Sequence, residues 1–107
     1  MKILASEKEI QKSILDYLLV IGISAWRTNS GIQFSSYKGK DYITRLAPKG
    51  TPDIIGFLRD GRFLGIEVKK PGGIVSEDQK VFIEKINKAG GLAFTAYSLD
   101  EVIKQIK

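Results

Sequence analysis

The sequence predicts a single α/β domain in which a mixed central sheet is flanked by helices. Three observations support this prediction: serine-led helix starts recur along the chain, apolar strand-like stretches lie between them, and one predicted helix connects two of these stretches. That connection, from Glu67–Lys69 to Ala93–Tyr97, suits a parallel pair of strands. A chain of 107 residues is large enough for one core, so we expect one domain over residues 1–107.

Each predicted helix begins with a capping box, in which a serine caps the third residue on and a Glu or Gln there reaches back. The three helices are predicted at about Glu7–Ile21, Glu77–Ala89 and Leu99–Ile106. Gly22 ends the first helix, and Gly90–Gly91 ends the second. The residues predicted to be buried on the three helices are Ile10, Ile14, Leu18 and Ile21; Val81, Phe82, Ile86 and Ala89; and Val102, Ile103 and Ile106.

The predicted strands cover residues 23–28, 54–58, 62–69 and 92–97. The second and third of these form a hairpin, and its turn length decides whether two acids meet. A two-residue turn at Asp60–Gly61 would place Asp53 opposite Val68, on the wrong face. A three-residue turn with Gly61 in the left-handed region places Asp53 opposite Glu67, where Cβ atoms are about 5 Å apart. We predict the three-residue turn.

Asp53, Glu67 and Lys69 together form the most informative pattern of the chain. Residues two apart on a strand share a face, so Glu67 and Lys69 project together. Two carboxylates can hold Mg²⁺, and a lysine beside them can orient water or stabilise charge on a phosphate. Glu7 continues the buried row of the first helix, and Gln79 either caps the second helix or joins the site. The alternative for Glu67 and Lys69 is an ordinary surface ion pair.

Composition excludes several kinds of chemistry. The chain has neither cysteine nor histidine, so disulfides, thiolate metal sites and histidine general bases are ruled out. Its net charge of +5 favours a polyanionic partner. No apolar stretch approaches the roughly 20 residues that a membrane span needs, and residues 1–6 do not resemble a signal peptide. We therefore expect a cytoplasmic protein without a membrane partner.

Residues 32–49 mix aromatic with basic side chains, and Lys38–Asp41 suits the turn of a second hairpin. Such mixtures occur on nucleic-acid-binding surfaces, where cations meet phosphates and rings pack on bases or sugars. The alternative is an ordinary exposed hairpin whose rings pack on the core. The basic residues predicted to contact nucleic acid here and beside the site are Lys38, Lys40, Arg45, Lys49 and Lys70.

Several segments resemble one nuclease family. Gly50–Gly56, Glu67–Lys69 and the Ser76-x-x-Gln79 motif are similar to the VRR-NUC branch of the PD-(D/E)XK nucleases. The helix containing Glu7, the Arg27–Gly31 segment and Gly90–Gly91 add to the resemblance, which covers nearly the whole chain. It implies a restriction-endonuclease-like αβββαβ core and phosphodiester hydrolysis that depends on Mg²⁺ or Mn²⁺.

The resemblance also implies a role for each matching residue. The implied metal ligands are Asp53, Glu67 and the Val68 carbonyl, with Glu7 as a further acid at the site. Lys69 is the implied catalytic lysine, and Gln79 is a supporting polar residue. The residues implied to lie near substrate phosphates are Arg27, Asn29 and Ser30. Small stand-alone members resemble phage or bacterial proteins that dimerise and act on branched DNA. The fusion partners of larger members are not found in this chain.

The leading hypothesis is thus a homodimeric, metal-dependent DNA endonuclease that selects branched DNA such as four-way junctions. A dimer has an independent rationale, because symmetric cutting of two strands needs two sites related by a two-fold axis. One alternative is an endonuclease or nickase on linear duplex without branch preference. The other is a non-catalytic nucleic-acid-binding module, against which the combination of Asp53, Glu67 and Lys69 argues.

Overall fold

The computed structural model describes residues 5–28 and 32–106, without the side chains of residues 32, 33 and 45. These residues form helices on either side of a sheet, together with a separate hairpin. In chain order the elements are α1 (Glu7–Val20), β1 (Ser24–Arg27), β2 (Ile32–Tyr37), β3 (Lys40–Arg45), β4 (Ile54–Phe57), β5 (Phe63–Val68), α2 (Glu77–Lys88), β6 (Leu92–Ala96) and α3 (Leu99–Gln105). Within the described residues no helix is both long enough and apolar enough to cross a membrane.

The main sheet has the strand order β1-β4-β5-β6 and is mixed, as the sequence predicts. The first two pairings are antiparallel, and β5 pairs with β6 in parallel through the α2 connection. Alternation along β5 sends Leu64 and Ile66 into the core with Ile14 and Leu18 of α1. Gly65 points to the opposite face, where Ile86 of α2 covers it. The sheet therefore has a helix packed on each face.

The turn between β4 and β5 confirms the predicted register. Gly61 has a φ of +89°, and its N–H donates to the Leu58 carbonyl. The Leu58 N–H donates in turn to the carbonyl of Arg62, so the turn holds three residues. Ile54 consequently lies opposite Ile66, which brings Asp53, one residue earlier, level with Glu67.

The helix caps agree with the sequence in two cases and differ in the third. Ser6 and Ser76 both form complete capping boxes. Ser98 accepts a hydrogen bond from the Glu101 N–H, but the Glu101 carboxylate binds the N–H of Tyr97 instead of that of Ser98. The third box is therefore one-sided, because the extended backbone before α3 brings the Tyr97 N–H into reach of that carboxylate.

The predicted buried stripes of α2 and α3 were partly wrong. Val81, Ala89 and Ile103 are exposed, whereas Ile86 and Val102 are buried as predicted. Among the described residues, the main contacts of α2 with the sheet are to β5 and β6, and they leave one flank of the helix exposed. Helical periodicity predicts an apolar face, but the width of the surface that covers this face depends on the tertiary fold.

Strands β2 and β3 form a two-stranded ribbon that is not hydrogen-bonded to the main sheet. The hairpin forms where the sequence predicts it, but its turn is shorter than Lys38–Asp41, because Lys40 and Asp41 already pair with Tyr37 and Ser36. The turn consists of Lys38 and Gly39, both at positive φ, as in tight hairpin turns. Phe34, Tyr37 and Tyr42 are 75%, 64% and 45% exposed, so these rings do not pack on the core. The alternative of an ordinary hairpin folded onto the core is thereby excluded.

Candidate active site

The backbone before β4 is held by Thr28, a residue to which no separate role was assigned from the sequence. Its N–H donates to the Asp53 carbonyl at 2.8 Å, and its hydroxyl donates to the Pro52 carbonyl at 2.8 Å. Arg27 pairs with Ile54, so the residue after Arg27 necessarily meets the residue before Ile54. The β1–β4 pairing, which joins segments far apart in the chain, is the signal that would have identified Thr28.

The Asp53 carboxylate lies across the end of β5. Its Oδ2 atom accepts a hydrogen bond from the Val68 N–H at 2.8 Å. Because the donor is a backbone N–H, this hydrogen bond holds the Asp53 carboxylate beside Glu67 without help from another side chain. The strand ladder ends at Ile54, so Asp53 uses its side chain, rather than its backbone, to continue the contact with β5.

Glu67 is buried, with only 2% of its surface exposed. Its Oε1 accepts a hydrogen bond from the Gln79 side-chain amide at 3.0 Å. Its Oε2 is buried without a hydrogen-bond partner among the described residues. Buried polar atoms are nearly always paired, so an unpaired carboxylate oxygen next to a second carboxylate indicates a place for a ligand.

The electrostatics of Glu67 agree with this interpretation. Burial, the largest cause, and the neighbouring Asp53 carboxyl together raise the pKa of the Glu67 carboxyl from its ordinary 4.5 to about 8. The positive charge of Lys69 lowers this pKa, whereas the charge of Glu7 raises it. Both carboxylates are thus costly to ionise together unless a cation compensates them.

Lys69 is the nearest described cation to Glu67. Its Nζ lies 4.0 Å from Glu67 Oε1, and its side chain is only 17% exposed. Its backbone N–H donates to the Ala96 carbonyl at 3.0 Å, which extends the β5–β6 pairing to the site. The ammonium is therefore held at the site by the sheet and remains at the edge reached by solvent.

Gln79 fulfils both of the roles that the sequence left open. Its Oε1 accepts from the Ser76 N–H at 2.8 Å and completes the capping box. Its Nε2 donates to Glu67 at 3.0 Å. The cap thus fixes the orientation of the amide, so that its donor end faces the carboxylate.

The loop before Asp53 packs closely on the first turn of α2. Gly50 has a φ of +86°, and a Cβ atom there would lie 2.6 Å from the Asp78 carbonyl carbon. Lys49, which was predicted to contact nucleic acid, pairs with the Asp78 carboxylate at 3.1 Å on the surface. This packing sets the separation between the strand that carries Asp53 and the helix that carries Gln79.

Glu7 lies half-buried at the first turn of α1, close enough for its charge to affect Glu67. It lines a cleft of about 620 Å³ with Lys8 and Lys70. In residues 5–28 and 32–106, no three acidic side chains are grouped closely enough to hold a metal ion. A role for Glu7 as a third metal ligand stays a prediction.

The other predicted nucleic-acid contacts are exposed wherever the structure describes their side chains. Arg27 is exposed and lines a cleft of about 510 Å³ with Trp26 and Thr28. Lys38 and Lys40 are exposed on the ribbon. Asn29, Ser30 and the side chain of Arg45 lie outside the described residues.

The donor set at Asp53 and Glu67 fits a hard divalent cation. Carboxylate oxygens are the ligands that Mg²⁺ and Mn²⁺ prefer, and Glu67 Oε2 has no hydrogen-bond partner within residues 5–28 and 32–106. One cation would neutralise the pair and would satisfy this oxygen. The burial and negative charge of these two carboxylates are therefore compatible with a bound divalent cation.

Comparison with known proteins identifies the family. The sequence profile of the VRR-NUC domain matches residues 24–100, which include Asp53, Glu67, Lys69 and Gln79. The chain belongs to the VRR-NUC family. Membership in this family indicates a nuclease-type function with DNA as the substrate.

A solved structure described as a "VRR_NUC domain protein" supports the same assignment. It is 26% identical to this chain, with a TM-score of 0.58, and the match covers 96% of this chain and 86% of the other. The uncovered 4% is about four residues of 107, so the match extends into α1, which precedes the part matched by the VRR-NUC profile. A search among curated proteins gave no significant match.

Proposed function

We propose that this VRR-NUC protein is a metal-dependent endonuclease that hydrolyses phosphodiester bonds in DNA. The observation that carries the proposal is the buried Glu67 Oε2, which has no hydrogen-bond partner in the described part of the chain while a second carboxylate lies beside it. A carboxylate pair of this kind, with a lysine at 4.0 Å, suits cation-assisted phosphoryl chemistry. The same pair would repel a phosphate if no cation were bound.

Asp53 and Glu67 would hold Mg²⁺ or Mn²⁺, with the Val68 carbonyl as a further ligand. When bound, the cation would supply Lewis-acid stabilisation of the phosphate and lower the pKa of a coordinated water. The Val68 N–H and the Gln79 amide hold the two carboxylates in the required orientation. Preorganised ligands of this kind lose little freedom when the cation and the substrate bind.

Lys69 has the second chemical role in this proposal. Its ammonium, held at the solvent-facing edge of the site, orients the attacking water and stabilises the charge that develops on the phosphate. Lys69 is an alternative to histidine as a catalytic cation in a chain that contains no histidine. Neutralisation of Lys69 should therefore abolish the chemical step and leave the fold intact.

Preference for branched DNA and a homodimeric state are parts of the same proposal. The described residues provide one candidate site per chain, and paired incisions across a junction require two sites related by a two-fold axis. Trp26, Phe57 and Phe63 are about half exposed on the part of the sheet beside α2 that this helix does not cover. An apolar surface of this kind suits self-association.

A cleavage assay tests the proposal. Wild-type protein and Lys69→Ala are incubated with a four-way junction, a flap, linear duplex and single-stranded DNA, each with Mg²⁺, Mn²⁺ or EDTA. We expect metal-dependent, paired incisions in the junction by the wild type and none by Lys69→Ala. Cleavage of every DNA with equal efficiency would support the linear-duplex alternative, and DNA binding without cleavage under any metal would support the non-catalytic module.

A further inference from the structure

The β2–β3 ribbon leaves the main sheet at the same end as the candidate site. Strand β1 ends at Arg27, opposite Ile54, and the ribbon follows it in the chain. The chain returns from the ribbon through Leu46–Pro52 to Asp53. Thr28, before the ribbon, and Asp53, after it, therefore meet at the edge of the sheet where Glu67 lies.

The pairing register divides the outer half of the ribbon into two faces. Tyr37 is opposite Lys40, and Ser35 is opposite Tyr42, so these four residues share one face. Phe34 is opposite Ile43, and Ser36 is opposite Asp41, so the other face contains these four residues. We call the first the tyrosine face and the second the phenylalanine face.

The two faces differ in charge. Lys40 lies on the tyrosine face, and the Lys38 ammonium at the turn lies 5.4 Å from the centre of the Tyr37 ring. On the phenylalanine face of the outer half, the charged residue is Asp41, which accepts a hydrogen bond from Ser36 at 2.6 Å. Within the outer half of the ribbon, the tyrosine face is thus the one complementary to a polyanion.

The aromatic rings of the ribbon are exposed to solvent, and a binding partner that covers them would explain this exposure. Its strands make their main contacts with each other, and its aromatic rings face solvent. A two-stranded hairpin is marginally stable by itself, and exposed rings add nothing to its folding. Tyrosine rings can, however, stack on any base whose face is accessible.

We propose that the tyrosine face of the ribbon binds the branch point of the DNA substrate. Tyr37 and Tyr42 stack on bases whose neighbours are lost at the branch, while Lys38 and Lys40 contact the flanking phosphates. Bases within a continuous duplex are covered by neighbours on both sides, whereas base pairs at a branch point can lose one of these neighbours and offer a face for stacking. This inference rests on the proposed nuclease function and identifies the residues that select branched DNA.

Equilibrium binding tests the inference without cleavage. Fluorescence anisotropy in EDTA compares a four-way junction with a linear duplex of the same arm sequence, each at two salt concentrations. Replacing Tyr37 and Tyr42 together by alanine should weaken junction binding about tenfold or more and duplex binding less than about twofold. The corresponding double change to phenylalanine should restore junction binding, because phenylalanine keeps the stacking surface.

The phenylalanine face provides the matched control. Phe34→Ala with Ile43→Ala removes a comparable exposed apolar area from the same strands and should change neither affinity by more than about twofold. Lys38→Ala with Lys40→Ala should weaken binding to both DNAs and lower the salt dependence of each. Circular dichroism should give the same melting temperature for all variants, because the altered side chains are exposed.

Several outcomes would overturn the inference. These are equal binding of junction and duplex by the wild type, equal losses on both DNAs for the tyrosine variant, or an equally large loss for the phenylalanine-face variant. Because no cleavage is needed, a protein that fails to cut DNA can still pass this test. Conversely, a junction-cleaving enzyme whose selectivity does not depend on Tyr37 and Tyr42 would retain the proposed function and lose only this inference.

Discussion

Asp53 and Glu67 are held together by protein contacts that exist without a cation. The Val68 N–H fixes one carboxylate at 2.8 Å, and the Gln79 amide fixes the other at 3.0 Å. The repulsion between them is therefore built into the fold, and binding a cation relieves it. The effect of this repulsion on folding stability should therefore be measurable in the metal-free protein.

The first prediction concerns pH. The pKa of Glu67 is raised to about 8 in the folded state, so the folded protein favours the protonated form. The stability linked to this proton is present below the ordinary pKa of 4.5 and is lost as pH rises through about 8. In metal-free buffer, wild-type stability should fall between about pH 5 and pH 8 more steeply than that of Glu67→Gln.

Differential scanning fluorimetry across this pH range measures the effect, with EDTA present throughout. The difference between the two proteins isolates Glu67, because every other titrating group is shared. At about pH 8 we expect Glu67→Gln to be more stable than the wild type by more than about 1 kcal/mol. If stability changed with pH in parallel for the two proteins, the raised pKa of Glu67 and its assigned causes, burial and the charge of Asp53, would be contradicted.

The second prediction separates the structural role of Asp53 from its role as a ligand. Asn at position 53 keeps an oxygen that can accept the Val68 N–H, whereas Ala leaves this buried donor unpaired. Asp53→Ala should therefore lose about 1–3 kcal/mol more stability than Asp53→Asn in metal-free buffer. Both variants should lose metal binding. Equal stability, measured by urea unfolding, would mean that the Asp53–Val68 hydrogen bond contributes little.

At the scale of elements, the site depends on close contact between the loop that leads into β4 and the first turn of α2. Gly50 permits this contact because it has no side chain and adopts a φ of +86°. Gly72 has a similar φ of +84°, but no atom lies within 4 Å of the position of its Cβ. Substitution by alanine would thus strain the backbone at both glycines. It would cause a steric clash only at Gly50.

The third prediction uses this matched pair. Gly50→Ala and Gly72→Ala should each lose about 1–2 kcal/mol of stability from the positive φ. Only Gly50→Ala should also push α2 away, separate Gln79 from Glu67 and weaken Mn²⁺ affinity. Isothermal titration calorimetry of both variants measures this difference. Equal Mn²⁺ affinities in the two variants would show that the Gly50 contact does not position the site.

The turn of the β4–β5 hairpin could be predicted because its chemistry is local. Gly61 permits the left-handed conformation, and the requirement that two acids meet selects one register. Thr28 could not be found in this way, because its partners lie 24 and 25 residues away and depend on the β1–β4 pairing. Exposure of Val81 and Ala89 was missed for the same reason, since it depends on where α2 crosses the sheet.

On the scale of the whole molecule, the mixed sheet and its flanking helices followed from sequence because each element carries its own signal. The acid pair and Lys69 were also predictable, since strand alternation and hairpin register are both local rules. The separation of the ribbon from the main sheet was not predictable. Its aromatic residues have the composition of a buried hairpin, and only the fold reveals that no core lies beneath them.

The fourth prediction concerns assembly. Phe57 and Phe63 are cross-strand partners, about half exposed on the part of the sheet beside α2 that this helix does not cover. If two copies associate through this face, Phe57→Ser should shift a dimer toward monomer in light scattering after size exclusion. Val20→Ser, at an exposed apolar position on α1, serves as the control and should leave the dimer intact. A wild type that remains monomeric at high concentration would contradict the proposed dimer.

The most direct test of the cation site is a calorimetric titration of Mn²⁺ into the wild-type protein and into Glu67→Gln at about pH 7.5. Saturable binding by the wild type, with proton release and a rise in melting temperature, is expected. Glu67→Gln should lose this binding while remaining folded and at least as stable without metal. Undiminished Mn²⁺ binding by Glu67→Gln, or none by the wild type, would contradict the assignment of the acid pair as a cation site.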